Sequence, residues 1–265
     1  MGHKTLIDGV GYEITGGRCL DDGVGYSIQK GRTLIDGVGY DVGFGVSGTP
    51  AAEFAVGQSL YANVDGVRTE FIIVHQGIPS TTEYDASCEG TWLLMKDVYE
   101  NRAWHSSNSN KYADSTIHAY LNGTFAGLFD SKVKNRIKSV KIPYINGTGS
   151  GGSVAKGANG LAAQFFLLSC NEVKYTTSDY KTNGGSVLDY FNVNVPKALR
   201  KAYLNGTGNA WHLRSPSKSN TASACAITAT GDERIVSCTT VYGIRPAFIL
   251  DSSAVVNPDT FDILG

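Results

Sequence analysis

Residues 217–242 carry the densest run of side chains that could do chemistry. Four Ser, five Thr and four Ala make up half of that segment. Hydroxyls packed this closely donate to and accept from sugars or polar protein epitopes, much as antibody loops do. Two apolar anchors, each holding an arginine, bracket the run: Trp211-His212-Leu213-Arg214-Ser215-Pro216 before it and Gly243-Ile244-Arg245-Pro246-Ala247-Phe248-Ile249-Leu250 after it. A fixed frame around a polar segment suits binding more than catalysis.

The same segment holds Cys225 and Cys238, the candidate redox groups. Residues 224–230 and 233–241 alternate like the arms of a hairpin. If Gly231-Asp232 is a two-residue turn, Cys225 faces Cys238, Ile227 faces Val236 and Ala229 faces Arg234. A three-residue turn puts Cys225 opposite Thr239. In the first register Ala226, Thr228, Thr230, Ser237 and Thr239 share the solvent face. Two buried thiols are the expected state of the cysteines in a reducing cytosol. Trp211 is expected in the core. Arg214 and Arg245 are expected to tie loops to carbonyls or carboxylates. His212 follows Trp211 in an extended run, so it should point the other way, toward the exposed face. His75, His105 and His118 lie in separate segments and mark no general base.

These groups need elements to hold them. Leu60–Val64, a turn at Asp65-Gly66 and Glu70–His75 read as a hairpin. Thr91–Lys96 and Gln164–Ser169 read as buried strands. Asp114 or Ser115 caps a helix through Ile117 and Leu121 that Gly123 stops. Val133, Ile137 and Val140 fall at helical spacing after Ser131. Pro196 opens a third helix through Leu199 and Tyr203, ending at Asn205-Gly206. Asn-Gly-Thr occurs at 122, 146 and 205. Helix termination explains two of these three better than glycosylation does.

The N-terminus repeats itself. Thr5–Tyr12, Cys19–Tyr26 and Thr33–Tyr40 share the pattern Leu-x-Asp-Gly-Val-Gly-Tyr at a constant 14-residue offset. Asp-Gly between short apolar runs predicts a small β-hairpin in each unit. One such hairpin cannot bury a core, whereas stacked copies or neighbouring chains could. The expectation is a module over 1–48 serving attachment or oligomerisation. A linker, Gly45-Val-Ser-Gly-Thr-Pro50, leads to a ligand-binding domain over 51–265.

Composition narrows the partners. Net charge is −1 and the pI about 6.5, with no basic excess to follow a nucleic acid backbone. No apolar run is long enough to span a membrane, so no membrane insertion is expected. No secretory signal is visible. The cysteines at 19, 88, 170, 225 and 238 are odd in number and lack Cys-x-x-Cys spacing, so neither a metal nor another cofactor is expected. A surface binder made in the bacterial cytoplasm without a signal peptide fits a virus particle released by lysis.

Four blocks in order resemble one family: Tyr112–Phe125, Phe166–Val173, Trp211–Pro216 and Gly243–Ala247. They look like a domain of phages and prophages of gut Firmicutes that is similar to the C-type lectin-like fold. Its relatives include retroelement-diversified variable proteins and phage tail receptor-binding proteins. The front repeats also look like those of such phage proteins. The resemblance implies an α+β fold, a C-type lectin-like domain behind the small all-β module of repeated hairpins. It implies a ligand site at His212, Lys218, Asn220, Thr221, Ser223, Thr228, Thr230, Asp232, Ser237, Thr239, Thr240 and Tyr242, the positions on which a diversity-generating retroelement would act. Trp211, Arg214 and Arg245 would be its scaffold. Calcium-dependent lectins carry Glu-Pro-Asn or Gln-Pro-Asp and Trp-Asn-Asp motifs, which do not occur here, and Asp232 and Glu233 are the carboxylates near the site.

The leading expectation is therefore a non-enzymatic receptor-binding or adhesion protein in a phage tail or on a virion surface. Its partners would be a host cell-surface protein or glycan and, through the repeats, other tail proteins. Analogy with tail proteins suggests a homotrimer. Two alternatives stand beside it: a formylglycine-generating type of enzyme using Cys225 and Cys238, and a purely structural virion component.

Overall fold

The computed structural model describes residues 18–21, 24–27, 30–35, 38–43, 48–146, 151–175 and 184–265. The first repeat, Thr5–Tyr12, lies outside them. The chain divides into two units, Met1–Thr49 and Pro50–Gly265.

In the first unit β1 (Arg18–Asp21) pairs with β2 (Val24–Ser27), and β3 (Lys30–Ile35) pairs with β4 (Val38–Gly43), both antiparallel. The registers are equivalent. Cys19 faces Tyr26 as Thr33 faces Tyr40, and Leu20 faces Gly25 as Leu34 faces Gly39. Asp22-Gly23 and Asp36-Gly37, expected as hairpin turns, lie outside the described residues.

Strand β5 (Thr49–Pro50) straddles the boundary, and the second unit opens with the hairpin of β6 (Ser59–Val64) and β7 (Val67–Gln76). Asp65 and Gly66 turn this hairpin at φ 52 and 76. Next come β8 (Thr91–Met95) and β9 (Glu100–Ala103). Helix α1 spans Thr116–Asn122, capped by the Ser115 side chain on His118 N and stopped at Gly123. Helix α2 is one turn, Ser131–Lys134. Short strands follow: β10 (Val140–Ile142), β11 (Tyr144–Asn146), β12 (Ser153–Ala155), β13 (Leu161–Ala163), β14 (Tyr203–Leu204) and β15 (Thr207–Gly208). The C-terminal part holds β16 (Trp211–Pro216), β17 (Ser223–Ile227), β18 (Glu233–Ser237), β19 (Val241–Ile244), β20 (Ala247–Leu250) and β21 (Val255–Val256).

Two sheets organise this unit: β20-β8-β7-β6 and β18-β17-β16-β19-β9. The first is buried on both faces, and alternation sorts its side chains into two cores. Phe71, Ile73, Leu93, Met95, Phe248 and Leu250 enter one, with α1 and a cluster of phenylalanines. Ile72, Val74, Trp92, Leu94, Ala247 and Ile249 enter the other, with Trp211, Leu213, Cys225 and Ile227 from the second sheet. That is why β8 and β20 read as unbroken apolar runs rather than alternating ones. Each large side chain so buried contributes roughly 1.5–3 kcal/mol.

The fold is mainly β, with 36% strand and 17% helix, which overturns the α+β, C-type lectin-like expectation. Only α1, among the described residues, is a helix longer than one turn. The expected second helix stops at Lys134. Ile137 then bridges to Leu250, and Val140–Ile142 is a strand. Val133, Ile137 and Val140 are all buried, but one helical turn followed by extended chain puts them there. The expected third helix is a single 3-10 turn at Pro196–Ala198. Asn205 and Gly206 take φ of 52 and 78 and turn the β14–β15 hairpin, Leu204 opposite Thr207. Gln164–Ser169 makes one bridge, Phe166 to Ala247, and otherwise runs as buried extended chain.

Candidate ligand-binding surface

The β17–β18 hairpin pairs Ser223 with Ser237, Ala224 with Val236, Cys225 with Ile235, Ala226 with Arg234 and Ile227 with Glu233. Its turn therefore holds five residues, Thr228–Asp232, not two. Side chains close it: Thr228 Oγ1 lies 2.9 Å from Thr230 Oγ1 and accepts from Asp232 N, and Thr230 Oγ1 donates to Asp232 at 2.7 Å. Gly231 sits at φ 86, and a Cβ there would come within 2.1 Å of Lys197 O. The longer turn separates the two cysteines in register. Cys238 has left the hairpin and is a buried thiol whose pKa burial pushes up to about 12. Cys225, also buried, lies against Pro216 O.

The same register splits the expected site residues between the hairpin's two ends, roughly 17 Å apart by strand length. At the turn, Thr228 and Thr230 spend their hydroxyls on their own loop, and Asp232 is ion-paired to Lys197 at 2.6 Å. That pairing and the Thr230 bond hold the Asp232 carboxyl below its ordinary value.

At the other end three polar loops lie side by side: 105–109 after β9, 217–222 after β16, and 237–240 before β19. Backbone bonds stitch them together. His105 N donates to Cys238 O, Cys238 N to Ala222 O, and Asn110 N to Thr221 O, at 2.8–2.9 Å. Lys218, Asn220, Thr221 and Thr239 are exposed here, with Ser237, Thr240 and Tyr242 half-buried. Ser106, Ser107 and Asn108 are exposed beside them. Sequence reasoning missed this third loop, although Ser106-Ser-Asn-Ser-Asn110 has the composition of the segment it singled out.

Two of the expected ligand contacts are framework instead. Ser223 is buried on β17. His212 is fully buried, because β16 is the middle strand of its sheet and is covered on both faces. Its Nε2 lies 3.1 Å from Arg102 O and 3.2 Å from Thr240 O, and its ring packs on Tyr242 at 5.6 Å. Carbonyls only accept, so Nε2 carries the proton. His212 thereby clasps the end of β9 to the turn before β19. Asn110 does similar work for the middle loop, its buried amide donating to the carbonyls of Ser217, Asn220 and Ser223 at 2.8–3.1 Å.

Beneath the loops Trp104 Nε1 donates to Leu213 O and Trp211 Nε1 to Arg200 O. Arg214 is buried and forks onto both Glu172 oxygens, with further bonds to the carbonyls of Pro143, Leu167 and Gly184. Glu172 also accepts from Tyr84 Oη and Ser169 N. Arg245 is buried over the Trp211 ring at 5.0 Å and donates to Met95 O. Burial pulls its pKa down to about 10. Among the described residues no three or more His, Cys, Asp or Glu side chains are grouped to hold a metal ion.

A family model described as a domain of unknown function, DUF6273, matches residues 89–252, more than half of the chain. The chain belongs to the DUF6273 family. The DUF6273 match runs from the residues just before β8 to just beyond β20. It thus takes in all three polar loops, the Glu172–Arg214 pair, His212 and Asn110. Searches of curated proteins and of solved structures found no match.

Proposed function

We propose that this DUF6273 chain is a non-enzymatic receptor-binding or adhesion protein of a phage or prophage particle. Its ligand, a protein or glycan of the host cell surface, sits on the three-loop surface. The N-terminal repeats join it to other particle proteins, in a trimer. The observation that carries the reading is the arrangement of the loops. Hydroxyl- and amide-bearing side chains from 105–109, 217–222 and 237–240 converge, while buried donors, Asn110 and His212, fix the backbones beneath them. Loops held in advance lose little entropy on binding. Lys218, Asn220, Thr221 and Thr239 face solvent and can change type without disturbing a core, which suits a surface selected for variety. The formylglycine-generating alternative needs Cys225 opposed to Cys238, and in the structure Cys225 faces Ile235.

Hydroxyl-radical footprinting of the protein bound to intact cells of a panel of gut Firmicutes tests the reading. Protection centred on Thr221, Thr239 and Tyr242 is expected. Protection confined to the Thr228–Asp232 turn, or no cell binding across the panel, contradicts it.

A further inference from the structure

One stretch gathers five of the molecule's cations without a carboxylate partner among the described residues. Eight lysines and arginines of the described chain stand 2.5–2.9 Å from a carboxylate. Between residues 131 and 141 lie Lys132, Lys134, Arg136, Lys138 and Lys141, with no acidic residue among them. Among the described residues, none of these five is in an ion pair. Lys138 Nζ and Lys141 Nζ donate to the carbonyls of Glu89 and Ala158, and Arg136 to the Ser253 hydroxyl.

The local fold turns this stretch into an outward row. Val133, Ile137, Val140 and Ile142 are buried, which leaves the cations between them facing out. Residues 136–138 run beside β20, with Lys138 N on Ile249 O, Asp251 N on Arg136 O and Ile137 bridged to Leu250. Arg136 and Lys138 therefore share one side of an extended chain, and Lys141 is exposed on β10. The cations are strung over roughly 20 Å rather than aimed at one point. Two shallow depressions, of about 410 and 450 Å³, border the row at Lys132 and Arg136, walled by Leu264. Asp85, Asp130 and Asp251 are carboxylates at its margin; Ser87, then Lys141, hold the Asp85 carboxyl below its ordinary value, and Ser253, then Lys138 and Arg136, do the same for Asp251.

We infer that this row binds a flexible polyanion through its phosphodiesters, of the polyol-phosphate kind. A single phosphate would need convergent donors, which a linear row does not supply. Four of the five are lysines, point charges that suit phosphates without demanding a fixed planar geometry. The segment presents no aromatic ring on which a nucleic acid base could stack. Its apolar residues all point inward, so nothing on it enters a lipid layer. The row is built from other elements than the three-loop surface and does not depend on the adhesion reading.

Titration calorimetry of the full chain with poly(glycerol phosphate) tests this, with poly(dT) and phosphatidylglycerol vesicles as separate arms. Engaging three to five charges should give a log–log salt slope of roughly −2 to −3.5, so binding weakens about 15- to 130-fold between 50 and 200 mM salt. Lys132→Glu with Lys134→Glu should abolish binding at 50 mM salt, and the gentler Lys132→Gln with Lys134→Gln should reduce the slope. The distant pair Lys201→Glu with Arg234→Glu, exposed and outside both surfaces, should leave it unchanged. No binding of poly(glycerol phosphate), an equal loss in the distant pair, or tighter binding of poly(dT) or vesicles would overturn the inference.

Discussion

His212 shows how one proton decides the state of a loop. As a neutral ring it donates through Nε2 to the Arg102 and Thr240 carbonyls, while Nδ1 is buried with no partner among the described residues. Burial lowers its pKa from 6.5 to about 4. Between those values the unfolded chain binds the proton and the folded one does not, so stability is full above pH 6.5 and falls as pH drops toward 4. The loss should approach about 3 kcal/mol. Urea denaturation at pH 7, 5.5 and 4.5 measures it, and His212→Gln should flatten that part of the profile. Arg214 and Glu172 make a second case. Arg214→Met leaves a buried carboxylate uncompensated and should cost about 3–5 kcal/mol in chemical denaturation. Adding Glu172→Gln should restore much of that loss. Sequence alone pointed to Arg214 through its setting beside Ser215-Pro216. It did not single out Glu172, 42 residues away, although Ser169-x-x-Glu172 has the spacing of a capping box, and Ser169 N donates to Glu172 while Glu172 N donates to Ser169 Oγ.

At the scale of elements, the β17–β18 turn governs which residues share a surface. Gly231 at φ 86, pressed on Lys197 O, leaves no room for a side chain. Gly231→Ala should destabilise the domain by about 1–3 kcal/mol and lower its denaturation midpoint. The Asp65-Gly66 turn made β6 and β7 readable, since it sets their register, although only β6 alternates and β7 is buried over Phe71–His75. The β17–β18 turn was misjudged by three residues, since Thr228, Thr230 and Asp232 close it with side-chain bonds that no dipeptide signal announces. Helix α1 was legible from Ser115 and Gly123, which act through neighbours in sequence. The expected helix after Ser131 was not, because Val133, Ile137 and Val140 satisfy a helix and a helix-turn-then-strand equally. Asn110→Ala belongs here too. Removing its amide takes a bond from three loop carbonyls, of which Asn220 O and Ser223 O keep a backbone donor, and should cost about 1–3 kcal/mol and speed amide exchange across 217–223.

At the scale of the whole molecule, the account joins a repeat module to a β domain closed by its own ends. Ala51 N donates to Ala254 O, Tyr61 N to Phe261 O, and Ile263 N to Tyr61 O, so the chain returns to the start of the second unit. A chain beginning at Pro50 should therefore unfold cooperatively, with a midpoint within a few degrees of the full chain by calorimetry. That polar groups gather near β16–β19 was legible from composition; that they gather at one end of the hairpin, with 105–109 as the third member, needed the strand register. The most direct test of the adhesion claim compares binding to whole bacterial cells by two folded variants. One carries Ser107→Lys, Thr221→Lys and Thr239→Lys on the three-loop surface, and the other Thr230→Lys alone at the far turn. The account predicts that the first loses binding and the second keeps it. Loss in the second with retention in the first would contradict it.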